Sequence, residues 1–122
     1  MGFVHGELTE QIIKVSFAVH TELGAGFLES VYQNALVMAL RQAGLSVKAQ
    51  YPLSVTFRGQ VVGEFVADIL VEDKVIVEIK AVRAVAKEHV AQVINYLKAT
   101  GIEVGMLINF GAPSLEYNRL HK

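Results

Sequence analysis

The feature that most constrains this chain is an apolar run at residues 75–82, because it predicts a strand buried on both of its faces. The run reads Val-Ile-Val-Glu-Ile-Lys-Ala-Val, and strands of this kind lie in the centre of a sheet that is covered on both sides. A helical pattern over residues 85–100 and a second apolar run over 104–109 follow it. Strand, helix and strand in this order form a crossover unit, so we expect the two strands to be parallel.

Two helices and further strands are predicted in front of this unit. Apolar residues recur at helical spacing over 8–23 and over 28–44, and the period then changes to two, as in strands. We expect Pro52 to interrupt the first of these strands, and turns at 58–60 and 72–74 to separate the others. The predicted order is two helices, four strands, a helix and a strand. This order makes a mixed sheet flanked by helices, an α/β fold.

Composition and charge exclude several classes of protein. Apolar residues make up 52% of the 122 residues and charged residues 19%, which indicates one compact domain over residues 1–122. Eleven basic against twelve acidic residues give a net charge of -1, so no overall positive field attracts nucleic acid. The absence of cysteine excludes disulfides, thiolate zinc sites and a cysteine nucleophile. No signal-peptide pattern or apolar stretch of ~20 residues is present, so we expect a cytoplasmic protein that does not enter a membrane.

Two ionisable residues stand in the otherwise apolar central strand. Glu78 and Lys80 share one face of it, since successive side chains of a strand point to opposite sides. Asp68 lies on the preceding strand. If the turn between these strands contains three residues, Asp68 lies opposite Glu78. A turn of two residues pairs Asp68 with Val77 instead and puts the two carboxylates on opposite faces.

An acidic pair of this kind suggests a metal site. Two carboxylates that face each other across an antiparallel pair repel unless they share a proton or a cation. Oxygen ligands from Asp68 and Glu78 suit a hard divalent ion, Mg²⁺ or Mn²⁺, which can neutralise charge on a phosphate. Lys80 could then position the attacking water or stabilise the developing negative charge. The alternative is that all three residues are solvated or form salt bridges with one another on an exposed sheet face.

Two more constellations bear on the same site. Gln92 and Tyr96, four residues apart, project together from the edge of the third helix. Gly26, Glu29 and Tyr32 form a Gly-x-x-Glu-x-x-Tyr motif, in which the glycine precedes a helix and the acid lies in its first turn. Each has a simpler interpretation. The first is then a pair of surface residues, and the second a helix entry with an acid at the positive end of the helix dipole.

Two histidines are further candidates for an accessory role. His20 lies near the end of the first helix and could face the same cavity, and His89 shares a helix face with Gln92 and Tyr96. The simpler expectation for His20 is a hydrogen bond to carbonyl groups at the end of its helix. The four histidines of the chain show no zinc spacing.

Taken together, these segments resemble the GxxExxY proteins, a branch of the PD-(D/E)XK nuclease superfamily. The resemblance covers the chain from the first helix to Ile108-Asn109-Phe110. Its motifs are Gly26, Glu29 and Tyr32, then Asp68 with Glu78-Ile79-Lys80, and finally Gln92 and Tyr96 as the Gln-x-x-x-Tyr pair of the exonuclease branch. One departure is Ala67, which stands where the name of the motif has proline.

The resemblance implies a restriction-endonuclease-like αβββαβ core with an extra N-terminal helix, and a metal-dependent phosphodiesterase site. In that site Asp68, Glu78 and the Ile79 carbonyl would bind Mg²⁺. Glu29 would add an outer or second-metal carboxylate, and Lys80 would assist the attacking water. The Gln-x-x-x-Tyr pair would orient that lysine or hold a DNA phosphate.

Three functions are compatible with these residues. The first is a metal-dependent nuclease that uses a metal-activated water to hydrolyse phosphodiester bonds of nucleic acid, with DNA as the expected substrate. The second is a non-catalytic module that keeps the nuclease fold and binds nucleic acid or a partner. The near-neutral charge favours the second, because phosphate contacts need Lys or Arg. The third is a small homodimeric scaffold whose apolar surface covers an interface.

Overall fold

The computed structural model describes residues 3–122, which form three helices and one five-stranded sheet. In chain order the elements are α1 (Gly6–Leu23), α2 (Glu29–Gln42), β1 (Val47–Phe57), β2 (Gln60–Val71), β3 (Val75–Lys80), α3 (Lys87–Thr100), β4 (Val104–Asn109) and β5 (Glu116–His121). The strands lie in the order β1-β2-β3-β4-β5 and are antiparallel except for the parallel pair β3 and β4. The predicted α/β fold and the parallel crossover are therefore confirmed. No helix among residues 3–122 is long and apolar enough to cross a membrane.

The helices cover the two faces of the sheet through two apolar clusters. On one face α1 and α2 pack on the central strands in a large cluster that includes Ile12, Leu36 and Val77. On the other face α3 packs in a smaller cluster that includes Leu97 and Ile76. Every residue of β4 is buried, and so is all of β3 except its last residue. Because these central strands are covered on both faces, their sequences are apolar without alternation.

The strands differ from the prediction in two places. Pro52 does not interrupt a strand, since β1 continues through it and pairs it with Val66. Strand β1 lies at the edge of the sheet, where a residue without an N–H group is tolerated. Three strands rather than four therefore precede α3. The second difference is β5, which was not predicted because most of its residues are exposed and polar and give no apolar alternation.

Two of the apolar residues in the segment of α2 do not join the core. Leu28 and Met38 belong to the apolar residues at helical spacing, but they are 77% and 62% exposed. The helix buries Tyr32 and Leu36 of the same set, together with Leu40. These three residues lie four apart and form one apolar stripe, so the predicted helical period is confirmed.

A polar residue of β4 fixes the segment that leaves β3. Asn109 is fully buried, and its Oδ1 accepts hydrogen bonds from the N–H groups of Val82 and Gly111, both at 3.0 Å. Its Nδ2 donates to the Val82 carbonyl at 2.9 Å and to Glu116 at 2.8 Å. A Cβ on Gly111 would lie 2.3 to 2.5 Å from backbone atoms of Ala81 and Val82. The end of β3 is therefore packed directly on the backbone of Gly111.

We expect Gly111→Ala to lower the free energy of unfolding by at least about 2 kcal/mol, since the added methyl group meets backbone atoms that cannot rotate away. Gly6→Ala is the matched control, because the nearest atom to its Cβ lies 3.8 Å away and the residue begins α1. It should leave stability unchanged or raise it slightly. Urea denaturation followed by circular dichroism measures both. Equal stability of the two variants would contradict the packing described at Gly111.

Candidate active site

The turn between β2 and β3 determines which side chains face each other. It contains three residues, 72–74, and the ladder pair next to the site joins Ile69 to Val77. Asp68 therefore lies opposite Glu78. The three-residue alternative is confirmed, and the two-residue turn that would separate the carboxylates is excluded.

The regular ladder between β2 and β3 ends at this pair of acids. The N–H of Asp68 donates to Oε2 of Glu78 at 2.6 Å, and the N–H of Ile79 donates to Oδ2 of Asp68 at 2.8 Å. Each carboxylate thus accepts a backbone hydrogen of the opposite strand with one oxygen. The other oxygen of each carboxylate accepts no hydrogen bond from an N–H or hydroxyl group of residues 3–122. Since no buried side-chain oxygen or nitrogen in that range lacks a partner, these two oxygens are reached by solvent.

The carbonyl of Ile79 points to the same gap. In a parallel ladder only every second residue of a strand bonds to its neighbour. The N–H of Phe110 in the following segment donates to the Lys80 carbonyl at 2.8 Å, so Lys80 is a residue that bonds toward β4. Ile79 therefore directs its own N–H and carbonyl toward β2. Its N–H is taken by Asp68, and its carbonyl faces the place where the ladder with β2 has ended.

At Gln50 of β1, which lies opposite Asp68, the buried side chains of the β1–β2 hairpin change from one face of the sheet to the other. The φ of Gln50, +55°, is in the left-handed region, and the ladder has no pair there although the pairs on either side keep one register. On one side of this point Ile69 belongs to the cluster under α1 and α2, and on the other side Ala67 and Leu53 belong to the cluster under α3. Residues 67 and 69 would share a face of a regular strand. The outer half of the hairpin, residues 51–67, therefore directs its buried side chains toward α3.

Burial and mutual repulsion hold a proton on the acidic pair. Glu78 is 4% exposed, and its burial and the charge of Asp68 raise its pKa to about 8. Burial also raises the pKa of Asp68, although the N–H of Ile79 and the charge of Lys80 oppose that rise. The interpretation of these acids as solvated residues on an exposed sheet face is therefore wrong for Glu78.

Lys80 lies on the same face of β3 as Glu78 without forming an ion pair. Its charge favours the ionised forms of both Asp68 and Glu78. Within residues 3–122, however, the one ion pair of 4 Å or less joins Lys48 to Asp73 at the nearby turn. Among residues 3–122 no basic side chain is therefore in direct contact with the acidic pair, and the ammonium group of Lys80 forms no ion pair there.

The Gly-x-x-Glu-x-x-Tyr motif builds the start of α2. Tyr32 is fully buried, and its hydroxyl donates to the Gly24 carbonyl at 2.5 Å and accepts the N–H of Phe27 at 3.1 Å. Its ring stacks on Phe110 with centroids 4.8 Å apart. Tyr32 thus fixes the loop that leads into α2, and with it the position of Glu29 in the first helical turn.

Glu29 acts on the acidic pair through space. It is exposed at the start of α2, and its charge contributes to the raised pKa of Glu78. It does not complete a three-residue metal site, since no three His, Cys, Asp or Glu residues in the described part of the chain are grouped closely enough to hold an ion. The structure therefore brings Asp68 and Glu78 into contact and leaves Glu29 farther out.

Tyr96 and Gln92 of α3 stand beside the acidic pair. Tyr96 is buried, and its burial and the charges of Glu78 and Asp68 raise its pKa. Gln92, one turn earlier, is half-buried. Both residues line an open groove between α3 and the outer half of the β1–β2 hairpin. Tyr96 also belongs to the apolar cluster under α3, so it is not the surface residue at the edge of the helix that the spacing predicts.

His20 and His89 have structural partners. His20 Nε2 donates to the Ala112 carbonyl at 3.0 Å, which ties the end of α1 to the loop after β4. His89 Nδ1 accepts the N–H of Ala86 at 3.0 Å, at the start of α3. Each ring thus uses one of its two nitrogens to hold a neighbouring segment in place.

Two amide side chains near the site were not anticipated from the sequence. Gln50 Nε2 donates to Gln33 Oε1 at 3.0 Å and so links β1 to α2. Gln33 lies one helical turn after Glu29, and this spacing of four is the one signal in the sequence. The place of Gln50 opposite Asp68 follows from the register of the hairpin, which the sequence does not reveal.

The raised pKa of Glu78 predicts that the metal-free protein loses stability as the pH rises. Its pKa is about 8 in the folded protein and about 4.5 in the unfolded chain. Between these values the folded state holds a proton that the unfolded state has released, so the free energy of unfolding falls from about pH 4.5 to about pH 8. Glu78→Gln still accepts the N–H of Asp68 but cannot titrate, so its stability should vary less. Urea denaturation in EDTA at about pH 5 and about pH 8 measures the free energy of unfolding of the wild type and of Glu78→Gln. The same change with pH in both proteins would refute the raised pKa of Glu78.

Comparison with known proteins places the fold in a family. A family model described as the PD-(D/E)XK nuclease superfamily matches residues 6–120. No curated protein sequence gives a significant match. Among solved structures, the chain is similar to the "Crystal structure of SSO0001", with a TM-score of 0.58 and 16% identity over 76% of this chain and 49% of that chain. The chain thus spans about half the length of that protein, and the likeness concerns the fold. With nearly all of its length matched by the family model, the chain belongs to the PD-(D/E)XK nuclease superfamily.

Proposed function

We propose that the protein is a metal-dependent nuclease that hydrolyses phosphodiester bonds of DNA. The observation that carries the proposal is the acidic pair where the β2–β3 ladder ends, with one oxygen of Asp68 and one of Glu78 open to solvent. Membership of a nuclease superfamily supports a nuclease-like function. The motif of Gly26, Glu29 and Tyr32 supports a place in the GxxExxY branch of that superfamily.

The residues present fit a hard divalent cation. We propose that Mg²⁺ or Mn²⁺ is held by the open oxygens of Asp68 and Glu78, with the Ile79 carbonyl as a third protein ligand. All three are oxygen donors, and two acids without a cation in contact are the charge distribution that such an ion neutralises. When bound, the ion would supply positive charge at the scissile phosphate and lower the pKa of a water.

Four further side chains would act around the phosphate. Lys80, which forms no ion pair among residues 3–122, would orient the attacking water or stabilise developing negative charge. Glu29 would hold a water of the outer shell, because it lies too far out to join Asp68 and Glu78 as a direct ligand. The pair of Gln92 and Tyr96 would orient Lys80 or hold a phosphate of the substrate.

The first test is metal binding without a substrate. We expect Mn²⁺ to raise the melting temperature of the wild-type protein, because a ligand that binds only the folded state stabilises it. Binding should release about one proton at pH 7, since Glu78 starts out protonated and the ion favours its charged form. Calorimetric titration in two buffers of different ionisation enthalpy counts the protons, and thermal melts measure the shift.

Asp68→Asn should abolish both effects while leaving the metal-free fold intact or slightly more stable, because it removes, at constant shape, a charge that burial disfavours. Glu64→Gln is the matched control. It also removes an acid from β2, but Glu64 is exposed and lies four residues before Asp68, so this variant should bind Mn²⁺ like the wild type. No metal-dependent shift of the wild type at millimolar Mn²⁺ would sink the metal-dependent function.

The second test separates metal binding from catalysis. Lys80→Ala should keep the Mn²⁺ response and lose cleavage of labelled DNA by roughly 100-fold or more, as expected for a residue that acts on the attacking water or on transition-state charge. Lys74→Ala, in the exposed turn of the same hairpin, should cleave at the wild-type rate. If both variants cleave alike, Lys80 has no part in the reaction.

A non-catalytic module that binds nucleic acid or a partner is the second candidate. The balance of 11 basic and 12 acidic residues favours it, since affinity for DNA depends largely on contacts between Lys or Arg and phosphates. Binding of Mn²⁺ by the wild type, with no cleavage of single-stranded or double-stranded DNA, would favour this module over the nuclease.

A further inference from the structure

A groove of about 810 Å³ runs between α3 and the outer half of the β1–β2 hairpin. Its hairpin wall carries Val55, Val62 and Phe65, and its helix wall carries Tyr96 and Ala99. The ring of Phe65 lies 5.8 Å from that of Tyr96, yet Phe65 remains 45% exposed. The groove therefore offers an aromatic, apolar surface to a ligand, and its volume is in the range of small-molecule sites.

The groove leads to the acidic pair. Tyr96 packs in one apolar cluster with Ala67 and Ile76. Ala67 directly precedes Asp68, and Ile76 lies two residues before Glu78 on the same face of β3. Tyr96 therefore joins the groove to the acidic pair, because it lines the groove, which Asp68 and Glu78 do not, and the charges of both acids raise its pKa.

The polar groups of the groove suit the edge of a base better than a phosphate. The charged residues that line it are one acid, Glu88, and one base, Lys98, so their charges balance. Asn95 adds a side-chain amide and Thr56 a hydroxyl, each of which can both donate and accept hydrogen bonds. Tracking a phosphate backbone needs an excess of positive charge. Aromatic faces with hydrogen-bonding groups beside them are the surface on which unstacked bases bind.

We propose that this groove binds an unpaired nucleobase of the strand whose phosphodiester lies at Asp68 and Glu78, with the base against the ring of Phe65. The inference rests on the proposed nuclease function and deepens it, because it defines the substrate as single-stranded or unpaired at the point of cleavage. In a duplex both faces of a base are covered by its neighbours. Phe65 can stack on a base only after that base has left the helix.

Tryptophan fluorescence tests the contact directly, since the chain contains no tryptophan. Phe65→Trp places one fluorophore in the groove. Phe17→Trp is the matched control, because Phe17 is 43% exposed and also contacts one aromatic ring, Tyr117, but belongs to α1 on the other face of the sheet. The probe is a single-stranded oligothymidylate of about 12 nucleotides, added with Ca²⁺ in place of Mn²⁺ to limit cleavage.

We expect the oligothymidylate to quench the fluorescence of Phe65→Trp about twofold or more and to leave Phe17→Trp unchanged. An abasic strand of the same length, which keeps the phosphates and lacks the bases, should not quench. Phe65→Ala should weaken binding of the oligothymidylate by about fivefold or more, the lower limit for loss of one stacked base. The corresponding Phe17→Ala should bind like the wild type.

Several results would overturn the inference: equal quenching of the two tryptophan variants, quenching by the abasic strand, binding of a duplex as tight as that of the single strand, or no binding of any oligonucleotide. The heat of Mn²⁺ binding to the same proteins reports separately on the acidic pair. If the groove tests fail and this heat is retained, the base-binding inference fails while the metal centre stands. If the wild type shows no such heat, the proposed function itself fails.

Discussion

The arrangement of the site depends on two hydrogen bonds that replace part of a β ladder. Where β2 and β3 cease to pair, the backbone N–H groups of Asp68 and Ile79 are bonded by the side chains of Glu78 and Asp68. An unpaired buried N–H would cost about 1 to 3 kcal/mol, so the two acids complete the sheet. The same contacts bring two carboxylates together in a buried place, where they must share a proton or a cation. The same two side chains therefore complete the sheet and create a site that needs a proton or a cation.

Two buried polar residues hold this arrangement in place without touching it. Tyr32 bonds the backbone on both sides of the glycine-containing loop and so fixes where Glu29 begins α2. Asn109 bonds both backbone groups of Val82 and holds the segment that follows Lys80. The Gly-x-x-Glu-x-x-Tyr motif therefore contains a positioning residue, Tyr32, as well as an acid. Tyr32 is fully buried, whereas Glu29 is exposed and can contact a substrate.

Much of the fold and part of the site could be predicted from local sequence patterns. Apolar periodicity located all three helices and the central strands, and the presence of Glu78 in an apolar strand singled out the site. Strand β5 and the continuation of β1 through Pro52 were missed because edge strands carry few apolar residues and tolerate exceptions. The opening of the ladder and the change of face at Gln50 were also missed. Both depend on contacts between distant segments, which no local period records.

The three-residue turn between β2 and β3 has a consequence for how this hairpin can evolve. Turns are ordinarily the places where insertions and deletions are most easily accepted. Here a residue can be added without harm only between Val71 and Val75, where it lengthens the loop and leaves the pairing of the two strands unchanged. A slip of that pairing by one residue would place Asp68 opposite Val77 or Ile79 and separate the two carboxylates. The acidic pair therefore fixes the register of the hairpin while the length of its loop remains free to vary.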